Sequence, residues 1–396
     1  MSARTADVVI IGGGCTGASL AYHLAVRGVR RILLLEKNFL ASGGTGRSVG
    51  IVRQLYPQET LARMVLRSVE VFKHFREIVG GDAGYVRCGA ILAVAADGEA
   101  LLRRTAVMER SVGIKTAVLG PDDLRVLEPR IDWSAIAAAV YEEDSGYGDP
   151  TSTARAYAEA ARERGAEIRQ GVKVTGVRVE AGRVRGVITE ADGEIAAPVV
   201  VNATGLWAAR VARMVGAEIP VLAGRHPVFS VRRPPTFGPA HAVFLDLARG
   251  TYFRPETGEL TVTGTLDSDE SRHPVDADTY SDGVEFEEVE RTLVRSFASM
   301  PALGEATFAR AYAGAFDITP DWNPILGELP EAEGFYCAVG FSGHGFKLCP
   351  AVGDLMAQLI ATGRTDLDLA LFSPTRFAAS TAIHGTFVSS YLRPSE

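Results

Sequence analysis

Asp7-Val-Val-Ile-Ile-Gly-Gly-Gly-Cys-Thr-Gly-Ala18 begins as an apolar run and breaks into glycines. The run reads as a buried strand, and from Ala18 to about Arg27 the apolar positions recur with helical spacing. Gly28 ends that helix, and Arg31-Ile-Leu-Leu-Leu-Glu36 is a second buried strand. Strands apolar on both faces belong to a parallel sheet covered on both sides, so this opening is a βαβ unit. Gly12, Gly14 and Gly17 spell GxGxxG between its first strand and its helix. Gly12 permits the tight turn, Gly14 lets backbone approach a pyrophosphate, and Gly17 allows close packing of helix on strand. The positive end of the helix then meets the phosphates. Glu36 closes the second strand, where a carboxylate can take ribose hydroxyls. A dinucleotide site is expected, and this fingerprint alone leaves FAD and NAD both open.

Further along, Asn202-Ala-Thr-Gly205 ends another buried strand in small residues, as backbone passing close to a cofactor requires. Gly340-Phe-Ser-Gly-His-Gly-Phe-Lys-Leu-Cys-Pro350 reads as a loop before a last helix, Pro350–Thr362. A helix N-terminus there can stabilise negative charge on a reduced flavin. The order of these three segments favours FAD. Helices are also expected over 59–79, 98–113, 152–164 and 284–299. Residues 226–320 read as mainly β-strand, by alternation in His226–Val231, Thr251–Arg254 and Leu260–Thr265. The predicted fold is α/β: a Rossmann-type FAD-binding domain in three pieces (1–84, 145–224 and 325–396). Interleaved with it is a substrate domain on a largely antiparallel β-sheet (85–144 and 225–324). Such interleaving leaves a cleft between domains where ligands commonly bind.

Composition narrows the function classes. The 396 residues are 47% hydrophobic and 22% charged, the balance of a globular enzyme. A net charge of −7 with no basic stripe argues against a nucleic-acid surface. No stretch approaches the roughly 18 apolar residues of a membrane span. The first strand starts almost at once, which leaves no room for a signal peptide, and a cytoplasmic location is expected. Cys15, Cys88, Cys337 and Cys349 are far apart, each a small buried residue by expectation, and no metal motif is present.

The chain resembles the D-amino acid oxidase-like superfamily of FAD enzymes, in its sarcosine oxidase, glycine oxidase and dimethylglycine dehydrogenase branch. The resemblance spans nearly the whole chain. It rests on Gly12–Gly17, Glu36, Arg47-Ser-Val-Gly-Ile-Val-Arg53, Asp149-Pro150, Ala203-Thr-Gly205, Tyr252-Phe-Arg-Pro255, Thr319-Pro-Asp321 and Gly343-His-Gly-Phe-Lys347. It implies oxidation of a small N-substituted or secondary amino acid, sarcosine or proline for example. Hydride would pass from the carbon next to nitrogen to flavin N5, and the imine would hydrolyse. A D-amino acid, glycine or a 2-hydroxy acid would suit the same scaffold. The rival reading is an FAD-binding subunit or assembly factor without turnover, and a nicotinamide dehydrogenase is a third.

By the same resemblance Arg53 and Lys347 form a clamp for the substrate carboxylate, a task suited to the planar fork of arginine. Tyr252 and Arg254 would add to it from the substrate domain. Cofactor contacts are expected at Gly12, Gly14, Cys15, Thr16, Gly17, Glu36, Lys37, Ser42, Gly43, Gly46, Arg47, Ser48, Val174, Ala203, Thr204, Gly205, Gly314, Gly343, His344, Gly345, Phe346 and Lys347. His344 is expected to serve loop geometry rather than proton transfer. Relatives with a covalent flavin carry a cysteine where Gly314 stands, or a histidine in the loop matching Gly43–Ser48, which has none, so a non-covalent flavin is expected. Oxidase relatives carry a lysine on the strand matching Leu260–Gly264, which has none. The electron acceptor is therefore open between oxygen and a quinone or flavoprotein, as is a place in an oligomer or a larger oxidoreductase.

Overall fold

The computed structural model describes residues 5–266 and 273–378. Residues 1–4, 267–272 and 379–396, which the predicted domain pieces include, lie outside the described residues.

A six-stranded sheet carries the opening motif. Its order is Ile325–Glu328, Phe335–Val339, Val199–Asn202, Val8–Ile11, Ile32–Glu36 and Glu167–Gln170. All neighbours run parallel except the first pair. Side chains alternate between its faces. Val8, Ile10, Ile32 and Leu34 enter one core with the helices Cys15–Val26, Pro150–Glu163 and Gly345–Thr362. Val9, Ile11, Leu33 and Leu35 enter the other, under the antiparallel strands Val174–Glu180, Arg183–Thr189 and Gly193–Ala196. Both faces are covered, which is why the strands read as unbroken apolar runs. Register places Ile11 beside Asn202 and Leu35, so Gly12, Ala203 and Glu36 come together at the carboxyl ends of their strands.

The second sheet was expected to be largely antiparallel and is mixed. Its strands come from Ala90–Glu142 and Leu222–Ile318. Within each of these stretches the pairings among the described residues are antiparallel. The two stretches meet through Ala90–Val94 and Val243–Asp246, which run parallel. A short hairpin enforces antiparallel neighbours. The chain between these two strands instead crosses the other sheet, which removes that constraint.

Three helices differ from expectation. The first begins at Cys15, directly after the glycines. The helix expected over 59–79 is Glu59–Lys73 followed by Phe75–Ile78. The last begins at Gly345, with Pro350 inside it. Gly345 to Cys349 therefore form the opening turns, and burial of Phe346, Leu348 and Cys349 there compensates for the bond that Pro350 cannot donate. This helix crosses the first one closely: a Cβ on Gly353 would lie 2.2 Å from Ser19 Oγ.

Candidate active site

A cavity of about 750 Å³ lies between the two sheets. Its floor is the glycine loop. Gly12 has φ +114°, and a Cβ there would stand 2.4 Å from the Ala203 carbonyl oxygen. Gly17 lies behind the floor, where a Cβ would come within 2.0 Å of the Gly12 oxygen. Gly14 directly precedes the first helix and lines the cavity with Cys15 and Thr16. The Cys15 N–H donates to Thr45 Oγ1 at 3.1 Å. Glu36 accepts from Gly13 N at 2.8 Å through Oε2 and from Asn38 N at 2.8 Å through Oε1. This carboxylate thus organises the loop it faces.

Lys37, Ser42, Gly43, Arg47, Ser48, Val174, Ala203, Thr204, Gly205 and Gly314 line the same cavity. Arg47 is held by the Ser42 carbonyl at 2.8 Å, and its Cβ packs where a side chain on Gly314 would grow. Gly46 is not in the lining: a Cβ there would meet the Ala41 carbonyl at 2.4 Å. At one end Lys37 stacks over Trp207 at 3.5 Å and pairs with Asp278 at 3.0 Å. Trp207 Nε1 donates to Asp278 at 2.7 Å, and Arg210 pairs with both Asp278 and Asp276. Burial opposes ionisation of Asp278, but these donors outweigh it and bring its pKa down to about 2.

Arg53 and Lys347 line the cavity as well. Arg53 is 3% exposed; it donates to the Leu55 carbonyl at 2.5 Å and lies 4.6 Å above the Tyr56 ring. Lys347 is 6% exposed, and its Nζ reaches the Gly343 carbonyl at 3.4 Å. Burial, then the nearby charge of Arg53, pushes the Lys347 amine well below its usual range. Gly343, His344, Gly345 and Phe346 line the wall between. The His344 N–H donates to the Phe341 carbonyl at 2.8 Å, and burial keeps its imidazole neutral. Tyr252 lines the cavity, its ring stacked on His226, which stacks in turn on Phe316 at 4.4 Å. Arg254 stands off it, paired with Glu256 at 2.5 Å and stacked over Tyr147 at 4.6 Å.

Several lining residues carried no sequence signal that we read: Trp207, Arg210, Asp278, His226, Phe316 and Asp317. Asp317 is an acid at the end of the strand Thr307–Ile318, just before Thr319-Pro-Asp321, and that position could have flagged it. It accepts from Gly340 N at 2.7 Å and Phe341 N at 3.1 Å; burial pushes its carboxyl up to about 6. Asp321 has a structural task, pairing with buried Arg376 at 2.8 Å.

Residues 7–359 match the model of the FAD dependent oxidoreductase family, DAO. The chain belongs to this family. Mouse mitochondrial sarcosine dehydrogenase is 29% identical over 97% of the chain but 42% of that protein, so the chain spans less than half of this relative. The glycine oxidase of Geobacillus kaustophilus is 29% identical over 93% of the chain and 97% of its own length. L-proline dehydrogenase from P. horikoshii superposes with a TM-score of 0.87 at 29% identity, over 96% of this chain and all of that one. DAO proteins are FAD-dependent, and the cavity fits that cofactor: its lining is rich in glycine, a helix begins at its floor, and Glu36 stands beside the loop. No helix among the described residues is long and apolar enough to cross a membrane.

Proposed function

We propose that this DAO chain oxidises a small N-substituted or secondary amino acid at the carbon next to nitrogen. The observation that carries the reading is the placement of Arg53 and Lys347, from opposite ends of the chain, in the cavity that holds the glycine loop. Relatives named for sarcosine, glycine and L-proline fit it. The pieces 1–84, 145–224 and 325–396 would hold the cofactor in a Rossmann-type domain, and 85–144 with 225–324 the substrate.

Non-covalently bound FAD would supply the two-electron acceptor. The Gly14 amide and the N-terminal end of the first helix would hold its pyrophosphate, and Glu36 its adenosine ribose. Arg53 and Lys347 would take the substrate carboxylate, fixing which carbon is presented. Lys347, its charge suppressed while the site is empty, would gain a proton as the anion enters. The aromatic wall of His226, Tyr252 and Phe316 would exclude water and leave room for an N-substituent. The strand Leu260–Thr265 has no lysine, so a quinone or dye should reoxidise the protein better than oxygen.

Anaerobic mixing with sarcosine, L-proline and N-methylethylamine tests the reading. The two amino acids should bleach the flavin, at least one of them rapidly, and the amine should not. A flavin bleached by none of a broad amino-acid panel would favour a partner subunit without turnover.

A further inference from the structure

Two buried acids stand behind Arg53. Glu109, on the helix Ala96–Val112, accepts the Tyr56 N–H at 3.1 Å through Oε1. Glu142, at the end of the strand Ala138–Glu142, accepts the Gln54 N–H at 2.7 Å and the Ser145 hydroxyl at 2.5 Å, both through Oε2. Both acids have 0% exposure. The segment that carries Arg53 is therefore suspended from two carboxyl groups on two different elements. Each acid uses one oxygen this way, and the other oxygens, Glu109 Oε2 and Glu142 Oε1, are buried with no hydrogen-bond partner among the described residues.

We infer that Glu109 and Glu142 are positioning residues for Arg53 and that at neutral pH the pair retains one proton. The inference rests on the clamp reading above. Two dry carboxylates beside a single buried guanidinium cannot both ionise without leaving one charge uncompensated. Glu142 accepts two hydrogen bonds and Glu109 one, so ionisation is better supported on Glu142 and Glu109 is the member that keeps the proton; burial, then the charge of Glu142, pushes Glu109 the same way. The charged and titratable groups around the pair are Arg53 and Tyr56 from the suspended segment, Arg110 from the helix of Glu109, and Tyr85 near Glu142. His344, just before the last helix, and Lys347, within it, also sense the charge of Arg53. With one proton retained, the net charge behind Arg53 is −1, and its fork stays available to an incoming anion. When Glu109 ionises, a second negative charge appears, and the pull on that anion weakens.

The test titrates the FAD-loaded protein with propionate, read by the flavin spectrum, from about pH 7 to about pH 10. Wild type should lose affinity across that range, in part through Lys347. Glu109→Gln, which fixes the protonated form, should keep its neutral-pH affinity within about twofold and lose roughly tenfold less affinity at the alkaline end. Equal pH courses in wild type and Glu109→Gln would overturn the inference while leaving the clamp intact. A wild type that never binds propionate would remove the clamp, and the inference with it. Should the variant fail to fold, infrared difference spectra of wild type decide: a protonated carboxyl band must be present at neutral pH and vanish at alkaline pH, and its absence overturns the pair.

Discussion

Glu36 Oε2 accepts a 2.8 Å hydrogen bond from the backbone N–H of Gly13. The acid at the end of the second strand and the glycine loop at the end of the first are thus one unit before any cofactor enters. Removing this carboxylate should act on the loop and, by the role proposed for it, on the adenosine ribose as well. Each charge-assisted bond lost is worth about 1.5–3 kcal/mol. Glu36→Ala should yield folded protein depleted of FAD, with affinity reduced at least tenfold. Equilibrium dialysis against FAD measures this, and unchanged affinity would remove Glu36 from the site.

The flavin should come away without breaking a bond. Gly314 has no nucleophile, and the Arg47 side chain occupies the space beside it. The loop Gly43–Ser48 contains no histidine. Acid precipitation should therefore release all the yellow colour into the supernatant. Colour in the pellet would point to Cys15, which lines the cavity.

Asp317 gives the site a pH dependence of its own. Burial raises its carboxyl from 3.8 to about 6, so the folded state favours the protonated form. Its contribution is fully present below the unfolded value and is lost as pH rises through about 6. Asp317→Asn removes that loss while leaving an oxygen to accept from Gly340 and Phe341. The variant should gain on wild type between about pH 4 and pH 6 and level off at a gain of up to about 2 kcal/mol, because Asp317 borders the open cavity and solvent screens part of the shift. Thermal melts of the cofactor-free protein across that range would show it, and parallel curves would refute it.

These cases show what a one-dimensional reading could reach. The apolar runs Val8–Ile11 and Ile32–Leu35, the glycines and Glu36 act over short spans, so their spacing encodes their geometry. The mixed second sheet did not, because Ala90–Val94 and Val243–Asp246 pair across the rest of the molecule. Glu109 looked like one more acid on a charged helix, between Met108 and Arg110. Its burial comes from the packing of Arg53–Tyr56, which no local pattern reports. Pro350 misplaced the last helix because a proline normally marks a first turn. Burial of the residues before it carries this helix back to Gly345, and Lys347 thereby becomes a helical side chain aimed at the cavity.

The clamp is where the proposed function is most exposed to test. Arg53 and Lys347 are both buried, and the Lys347 amine is held well below its usual range by burial and by Arg53. Two cations in one dry site are costly without an anion between them. A small carboxylate should therefore compete with substrate, perturb the flavin spectrum, and bind with proton uptake as Lys347 becomes charged. Arg53→Met and Lys347→Met should each lower kcat/KM by about ten- to a hundredfold, one charge-assisted contact apiece. The loss should fall mainly on KM, and on kcat too if the clamp also aligns the reacting carbon. The double variant should lose less than the product of the single losses, because both cations share one partner. Steady-state kinetics of the three variants decide it. Full additivity would mean that the two residues serve different groups, and normal kinetics in both single variants would remove the clamp, leaving the FAD site in place.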